Sequence, residues 1–593
     1  MKEKWFLINE KDEKEYIDKL MKDVNIDYYT AKLLVNRGIK DTTEAYDFLH
    51  PSMNEFHDGF LMKDMDKAVD IISSAIISQS KIAIYGDYDC DGVMSTVILY
   101  KGLSTLKANF KYHIPDRELE GYGMNCERIK KLNEEGCEVI LTCDNGIAAF
   151  EEVALAKSLG MKVVVTDHHD IPMFDEGGVM VKRMPEADAV IDIKREDCRY
   201  PFKNLCGAAT ALKLIKCLYE KFDIDNDKWK ELIQFTAIAT VCDVVDLKDE
   251  NRMIVKFGLK QIENTDNIGL RCLIEETGLK DRKITATHLG FVIGPSVNAT
   301  GRLESASISV ELFTTDDVER AKELSKKLVD LNKERQELTT DSIESVNKYI
   351  EDNNMQNDKV LLVYSGEIHE SIAGIVAGKI KEKYYRPTII MTRGNTMPKG
   401  SGRSIDEYNI FEELSKCKEY LEKFGGHPMA AGLSVKEENL SKLRDKLLEN
   451  CNLSDEDLMP KVRIDFRFPI ENINDKIIEV VEKIKPYGKG NPAPIMAERN
   501  LRVTRVWILG KDKNVIKFRI AIKNSYKTID AIGFGNIIDN FKSMYEEKYG
   551  EEALLKVLDS SYADFNMDLI YVPGINEYNG IRSYQLDIKS IRL

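Results

Sequence analysis

Residues 81–95 read KIAIYGDYDCDGVMS. An apolar run, Lys81–Tyr85, stops at a glycine, and three aspartates then arrive at alternate positions: Asp87, Asp89 and Asp91. Like charges this close repel one another and are costly to desolvate. A chain that ends a buried strand in this way needs something positive to offset them. Two further runs repeat the arrangement. Glu138–Thr142 (EVILT) leads into CDNG and Asp144, and Lys162–Thr166 (KVVVT) leads into DHHD, with Asp167, His168 and His169. With Ala189–Ile193, these Val/Ile-rich runs alternate with helical stretches, which indicates a parallel sheet covered on both faces. Ligands of open parallel sheets bind beyond the carboxyl ends of the strands, so the acids are expected to converge on one crevice. A fourth element, AIATVCDVVD, adds Asp243 and Asp246 near the end of an apolar stretch.

Each piece has a plainer reading. An Asp after a strand is most often a turn residue or helix N-cap, DNG is a good turn, and a His-His pair is usually not a ligand. The coincidence decides the matter. Three strand ends carry acids, and one of them also carries two of only eight histidines in the chain. A mixed Asp/His set suits a divalent metal, with Mn²⁺ a better match than Ca²⁺, or Mg²⁺ in its place. The number of donors is enough for two ions. Two ions about 3.5–4 Å apart are the usual device for hydrolysing a phosphodiester.

The 593 residues suggest three to five domains. Apolar content of 43% and charged content of 31% describe a globular protein, not a disordered one. No secretory pattern and no apolar run of membrane-spanning length is present. Eleven scattered cysteines form no CxxC pair, so neither a zinc site nor a disulfide framework is indicated. A reducing cytoplasm is the expected setting. The net charge of −15 argues mildly against a nucleic-acid partner. Between Val481 and Asn540, however, 12 Lys and Arg stand against 5 Asp and Glu, a local excess of seven positive charges.

The expected organisation is a helical region at 1–60, an α/β domain at 61–315, a connector helix at 316–355, a second α/β domain at 356–455 beginning with VLLVY, and a β-rich domain at 456–593. The last carries short alternating runs, LRVTRVWIL, VIKFRIAI, MDLIYV and SYQLDIKSI, which predict a small antiparallel barrel or sandwich.

GDYDCDG, CDNG, TDHHD and VCDVV, in that order, resemble the motifs of the DHH phosphoesterases. Within that superfamily the chain resembles the RecJ family of single-strand-specific DNA exonucleases along nearly its whole length. LLVNRGIKDTTEAYDFLHP, HIPDRELEGYG, YPFKNLCGAA, DENRMIVKFGL and GPSVNATGRL are similar to RecJ segments. HESIAGIVAGKI, KGSGRSI and GGHPMAAGL resemble the DHH-associated domain, and PYGKGNPAP with the last strands resembles an oligonucleotide-binding (OB) barrel.

The resemblance implies metal ligands at Asp89, Asp91, Asp144, His168 and Asp243. Asp87 and His169 would be ligands or their partners, and Asp167 would orient an imidazole. It implies substrate contacts from Arg302, Ser401, Arg403, Ser404, Gly425, Gly426 and His427, because glycines admit backbone N–H groups to phosphate and Arg and His add charge-assisted hydrogen bonds. It also implies 5′ to 3′ hydrolysis of single-stranded DNA to 5′-mononucleotides in repair and recombination. The strand would run between the two α/β domains, in a cleft whose width the connector fixes. The protein would be a cytoplasmic monomer, served by a helicase and a single-strand-binding protein and making no membrane contact. Trp507, Phe518, Phe534 and Tyr578 are candidate base-stacking platforms on the barrel. The alternative is a small-substrate DHH phosphoesterase acting on dinucleotides or pAp. Four positions depart from the family pattern: Ser371 where a glycine is usual, Lys379 for an Arg, Asp192-Ile193 for Asn-Pro, and Val515 for a His.

Overall fold

The computed structural model describes residues 3–8, 13–117, 119–121, 123–177, 179–225, 227–394, 396–510, 513–578 and 580–593, with the side chain of Tyr578 outside that set. The chain divides into two units, Asn54–Leu458 and a second made of Met1–Met53 together with Met459–Leu593.

The first unit begins with the expected sheet. Its strands are β1 (Lys81–Tyr85), β2 (Phe110–His113), β3 (Cys137–Thr142), β4 (Lys162–Asp167) and β5 (Ala189–Asp192), ordered β2-β1-β3-β4-β5 and all parallel. Strand β2 has no apolar run to announce it: FKYH is half-buried along its length, as an edge strand should be. The central strands are buried on both faces, which explains their unbroken Val/Ile sequences. Helix α1 (Cys90–Thr105) follows β1 and is buried along nearly its whole length. It packs against α2 (Gly207–Lys221) and α3 (Ile233–Cys242). Helix α4 (Gly294–Leu303) follows a π-helical turn, Leu289–Ile293.

Helix α5, Val318–Asp352, runs for 35 residues, or about 52 Å at 1.5 Å per residue. Asp317 caps it, accepting from the backbone N–H groups of Glu319 and Arg320. The second sheet of this unit comprises β6 (Leu361–Tyr364), β7 (Thr388–Thr392), β8 (Lys399–Arg403), β9 (Lys423–His427) and β10 (Ala430–Ser434), in the order β9-β10-β8-β7-β6. Only β6 and β7 are parallel. Helix α6 (Ala373–Tyr384) lies against β7 and β8.

The other unit holds the barrel. Strands Met496–Leu509, Val515–Ala521, Thr528–Phe534, Ile581–Arg592 and Tyr562–Tyr578 pair in that order, and the last returns to the first to close the ring. One pair, Thr528–Phe534 with Ile581–Arg592, is parallel. Sequence reading missed the Thr528–Phe534 strand and both helices that follow it, Asn536–Tyr549 and Glu551–Ser560. It also described the N-terminus as helical, yet Lys4–Leu7 is a strand paired with Lys461–Ile464. The N-terminal helices share one apolar core with the barrel. Arg37 holds the PYGKGNPAP segment, donating to Asn491 Oδ1 at 2.7 Å and to the Pro492 carbonyl at 2.6 Å. Among the described residues, no helix is long and apolar enough to cross a membrane.

Candidate metal centre and phosphate cleft

The acids beyond β1, β3 and β4 are placed by ordinary chain-ending chemistry. Asp89 is the N-cap of α1, its Oδ1 accepting from the N–H groups of Asp91 at 2.9 Å and Gly92 at 3.1 Å. Asp91 lies in the first turn, and its two oxygens accept from the N–H groups of Gly207 at 2.6 Å and Ala208 at 2.8 Å, at the start of α2. One carboxylate thereby ties two helix N-termini together. Position 207 needs glycine, because a Cβ there would lie 2.7 Å from that of Asp144. Asp144 itself has φ 62°, in the left-handed region that Asp tolerates best after Gly and Asn.

His168 brings the clusters together. Its Nε2 lies 3.0 Å from Asp144 Oδ1 and 3.5 Å from Asp91 Oδ2, and its Nδ1 lies 3.8 Å from Asp243 Oδ2. Asp243 comes from the C-cap of α3, so a helix end contributes here, not a fourth strand. Asp167 faces the other way. Its Oδ1 accepts from His169 Nδ1 at 2.7 Å and from the His168 and His169 N–H groups, and its Oδ2 accepts from the Ile147 N–H. Asp246 enters none of the clusters that His168 joins.

Burial, with crowding by Asp91, Asp89 and Asp87, pushes the Asp144 carboxyl well above the usual range. Burial and Asp89 do the same to Asp87, and burial raises Asp91. Burial would also raise Asp167, but its bonds to His169 and the charges of both imidazoles hold it at about 2. Burial disfavours charge on His169, yet Asp167 raises it to about 9. Burial lowers His168. The pattern is a set of carboxylates short of positive charge beside one imidazole kept neutral and so able to ligate.

A divalent ion fits this pocket. Among the described residues, three overlapping groups (Asp144/His168/His169, Asp91/His168/Asp243 and Asp87/Asp89/Asp144) have ligand atoms within 4.8 Å of one another. Asp87 Oδ1 is buried without a hydrogen-bond partner, and a mixed O/N donor set is the kind that binds Mn²⁺ or Mg²⁺.

A cleft of about 560 Å³ opens between α4 and the second sheet, lined by Arg117, Arg302, Ser401 and Arg403 among others. Arg302 Nη1 donates to the Ser371 carbonyl at 2.5 Å, joining α4 to the turn before α6. Burial, with Arg117 and Arg335 nearby, lowers the Arg302 guanidinium to about 10. Burial also lowers Arg403. Among the described residues, none of Arg117, Arg302 and Arg403 forms an ion pair with a carboxylate. Register sets the floor: Ser401 pairs with Gly432 and Gly432 with Gly425, while Arg403 pairs with Ala430 and Ala430 with His427. Gly425 and Gly432 face open space. The sheet therefore offers bare backbone at Gly425 and Gly432 beside Ser401, flanked by Arg403 and the exposed His427.

Other expected residues stand apart from this face. Ser404 is buried and donates to the Tyr408 carbonyl at 2.6 Å, a bond internal to its own loop. Gly426, at φ 149°, leaves no room for a Cβ against the Ala430 carbonyl. Lys379 is exposed and pairs with Glu382 at 2.9 Å. Ser371 bonds His369 Nδ1 at 2.7 Å. On the barrel, Phe518 is fully buried core and not a stacking platform. Phe534 is exposed. Trp507 is half-buried, with the Arg519 guanidinium 5.1 Å from its ring centre. The side chain of Tyr578 lies outside the described residues. Val515 begins an inner-barrel strand.

Sequence reading missed Arg117 and Asn298 as members of the site and named Asp192 only as a departure from the family pattern. Arg117 sits in the loop after β2, where HIPDRE was quoted as a motif without its arginine being singled out. Asn298, in GPSVNATGR, accepts from the Cys90 N–H at 2.8 Å, so α4 braces the loop between Asp89 and Asp91. Asp192 ends β5 directly opposite Asp167. Burial, with Asp167 beside it, raises its carboxyl to about 7.

A parallel sheet with acids at three strand ends, joined by a long helix to a glycine-floored second sheet, defines a phosphoesterase of the DHH type. Three family models match: "DHH family, N-terminal domain" over residues 81–240, "DHHA1 domain" over 357–452 and "RecJ OB domain" over 464–590. The single-stranded-DNA-specific exonuclease RecJ of Bacillus subtilis is 36% identical over 88% of this chain, which spans 65% of that relative's length. The Haemophilus influenzae protein of the same name is 29% identical over 88% of this chain and 89% of its own. Among solved structures, RecJ of Thermus thermophilus in complex with Mn²⁺ superposes with a TM-score of 0.80 at 24% identity, covering all of this chain and 79% of that one. An exonuclease RecJ bound to manganese gives 0.57 at 29% identity, over 67% of this chain and 96% of that one. The chain belongs to the RecJ family.

Proposed function

We infer that the chain is a metal-dependent exonuclease that hydrolyses single-stranded DNA from 5′ to 3′ and releases 5′-mononucleotides. One observation carries this reading: a pocket of uncompensated carboxylates and an arginine-lined, glycine-floored cleft lie in one unit, joined through Arg302. Asp89, Asp91, Asp144, His168 and Asp243 would hold a pair of Mn²⁺ or Mg²⁺ ions, with Asp87 alongside. When bound, such ions activate water and stabilise charge on the phosphoryl oxygens.

The chain's own residues do the rest. Asp167 fixes the angle of the His169 ring through the 2.7 Å contact at Nδ1. Asn298 and the N-terminus of α2 hold the Asp89–Asp91 loop in place. Arg302 and Arg403 position phosphates next to the scissile one, and the glycine floor lets the sugar-phosphate backbone lie close to the sheet. Loss of a positioning contact costs rate through misalignment. The barrel adds a sequence-tolerant surface for the rest of the strand. The same reading has the protein working as a cytoplasmic monomer, on strands supplied by a helicase or a single-strand-binding protein.

The test is incubation of the purified protein and Mn²⁺ with end-labelled single-stranded DNA, duplex DNA, RNA and a dinucleotide. Stepwise mononucleotide release from the single strand supports the reading. Turnover of the dinucleotide alone would replace it with a small-substrate phosphoesterase.

A further inference from the structure

Two exposed apolar side chains flank the metal centre, and neither takes part in the chemistry described so far. Val244 directly follows Asp243 and is 58% exposed. Its φ of 57° is rare and strained for a β-branched residue. Phe291 is 77% exposed and sits in the π-helical turn Leu289–Ile293. Such turns are uncommon and tend to occur at functional sites.

The two segments touch. Cys242 Sγ lies 3.7 Å from the Leu289 carbonyl, and a Cβ on Gly290 would meet Val241 Cγ1 at 3.3 Å. Val244 and Phe291 are thus each two residues beyond one shared contact, next to Asp243. From the π-helical turn into α4, Phe291 is exposed, and the half-buried positions include Pro295, Asn298 and Arg302, which continue its face at helical spacing. Asn298 on that stripe braces the Asp89–Asp91 loop, and Arg302 enters the phosphate cleft. The stripe spans about 16 Å from Phe291 to Arg302 at 1.5 Å per residue. It therefore continues the candidate substrate path beyond the metal centre and ends it on an aromatic face.

Resting on the exonuclease reading, we propose that Phe291, with Val244 beside it, is a specificity-determining platform on which an unpaired nucleobase of the substrate strand stacks. A ring this exposed makes no core contact that would otherwise justify it. A nucleobase offers a flat face of matching size, and stacking is indifferent to sequence. A base held in a duplex already has both faces covered, so the platform rewards single strands only. Val244 supplies an apolar edge to the same lip.

The experiment compares wild type with Phe291→Ala, Phe291→Trp and Val244→Ser on a 5′-phosphorylated oligonucleotide. Phe291→Ala should raise KM by roughly ten-fold, the scale of one lost base–aromatic stack. It should leave kcat within about two-fold, since no phosphate contact is lost, with Mn²⁺ affinity and Tm unchanged. Val244→Ser should give a smaller rise. Phe291→Trp should keep a near-wild-type KM, and its added emission should be quenched by the oligonucleotide with the metal chelated. Scanning one abasic site along the strand should find a position at which wild type and Phe291→Ala no longer differ. An unchanged KM in Phe291→Ala, or a difference that survives every abasic position, overturns the proposal while leaving the exonuclease reading intact. Failure of the wild type to degrade any single strand overturns both.

Discussion

The strand ends of the first sheet and the open face of the second both gather charge, and the charges are opposite. Beyond β1, β3 and β4, Asp87, Asp91 and Asp144 are buried, crowd one another and hold their protons above the usual range. Across the cleft, Arg302 and Arg403 are desolvated without a carboxylate partner, and both are pushed below the normal guanidinium range. Neither region neutralises the other, although Arg302 bridges α4 and the turn before α6. A fold selected only for stability would have paired these groups. Two unmet demands of opposite sign side by side describe what must arrive: cations on one side, a polyanion on the other.

Breaking the acidic side should have the largest effect. Asp144→Ala is expected to lower cleavage on the order of a thousand-fold or more, about 4 kcal/mol of transition-state stabilisation. In EDTA Asp144→Asn, which keeps a residue suited to the left-handed backbone at φ 62°, should melt at or above the wild-type temperature, because a like charge has left a crowded site. In Mn²⁺ the wild type should gain Tm and the variant should not. Near-normal Mn²⁺-dependent activity would remove Asp144 from the metal centre.

Next comes the one acid that is compensated. Asp167 is held at about 2 against an ordinary 3.8, and His169 at about 9 against 6.5, because against the opposing effect of burial each gains most from the other, with His168 and the Ile147 N–H adding on one side and Asp243 and Asp91 on the other. A lowered acid stabilises above its unfolded value and loses that as pH falls toward 2. A raised base stabilises below its unfolded value and loses that as pH climbs to 9. In metal-free protein the stability gap between wild type and Asp167→Asn should therefore be widest near pH 4–6.5, on the order of 2 kcal/mol. It should shrink on both sides. A gap that does not vary with pH in chemical-denaturation curves would show that the pair does not titrate as a unit.

Breaking the basic side should cost less. Arg403→Ala and His427→Ala are expected to lose about ten-fold in kcat/KM on single-stranded DNA, or 1.4 kcal/mol, with Mn²⁺ affinity by calorimetry unchanged. Cleavage by His427→Ala at the wild-type rate at subsaturating substrate would leave GGHP as a mere connection. The smallest effect sharpens the boundary of this region. Lys379→Arg places there the residue the family resemblance leads one to expect, yet Lys379 is exposed and engaged with Glu382. Activity should change by less than about two-fold, and a clear gain would extend the phosphate path along α6.

The candidate metal pocket was legible because its acids beyond β1, β3 and β4 each come at or just past the end of a strand. An Asp two or three positions past a Val/Ile run has few places to go, and β1 occupies the residues its sequence predicts, Lys81–Tyr85. The strand of this sheet that was missed, β2, is an edge with half-buried residues and no run to read. The cleft was harder. Arg117 and Asn298 act across segments distant in sequence, and only tertiary structure brings them to Arg302 and Cys90. Ser404 and Ser401 look alike in KGSGRSI, yet strand register turns one toward the cleft and leaves the other bonded to its own loop. Phe518 is the opposite case. In VIKFRIAI it stands in step with Ile516 and Ile520 and alternates with Lys517 and Arg519, so the pattern already put it on the apolar inner face, and a stacking role would have needed the other one.

The unit containing the barrel is assembled from both ends of the chain, with Lys4–Leu7 paired to Lys461–Ile464 and one shared core. During synthesis the first 53 residues leave the ribosome with their apolar helix faces uncovered, and residues 54–458 must be made before any of their partners exist. At 5–20 residues per second that delay is roughly 20–80 s, far longer than helix or hairpin formation takes. The helices of residues 14–49 therefore wait for their barrel partners throughout the synthesis of residues 54–458. A chaperone that binds exposed apolar helices would find a long-lived target there, and the barrel could begin to close only once residues 459–593 were being made.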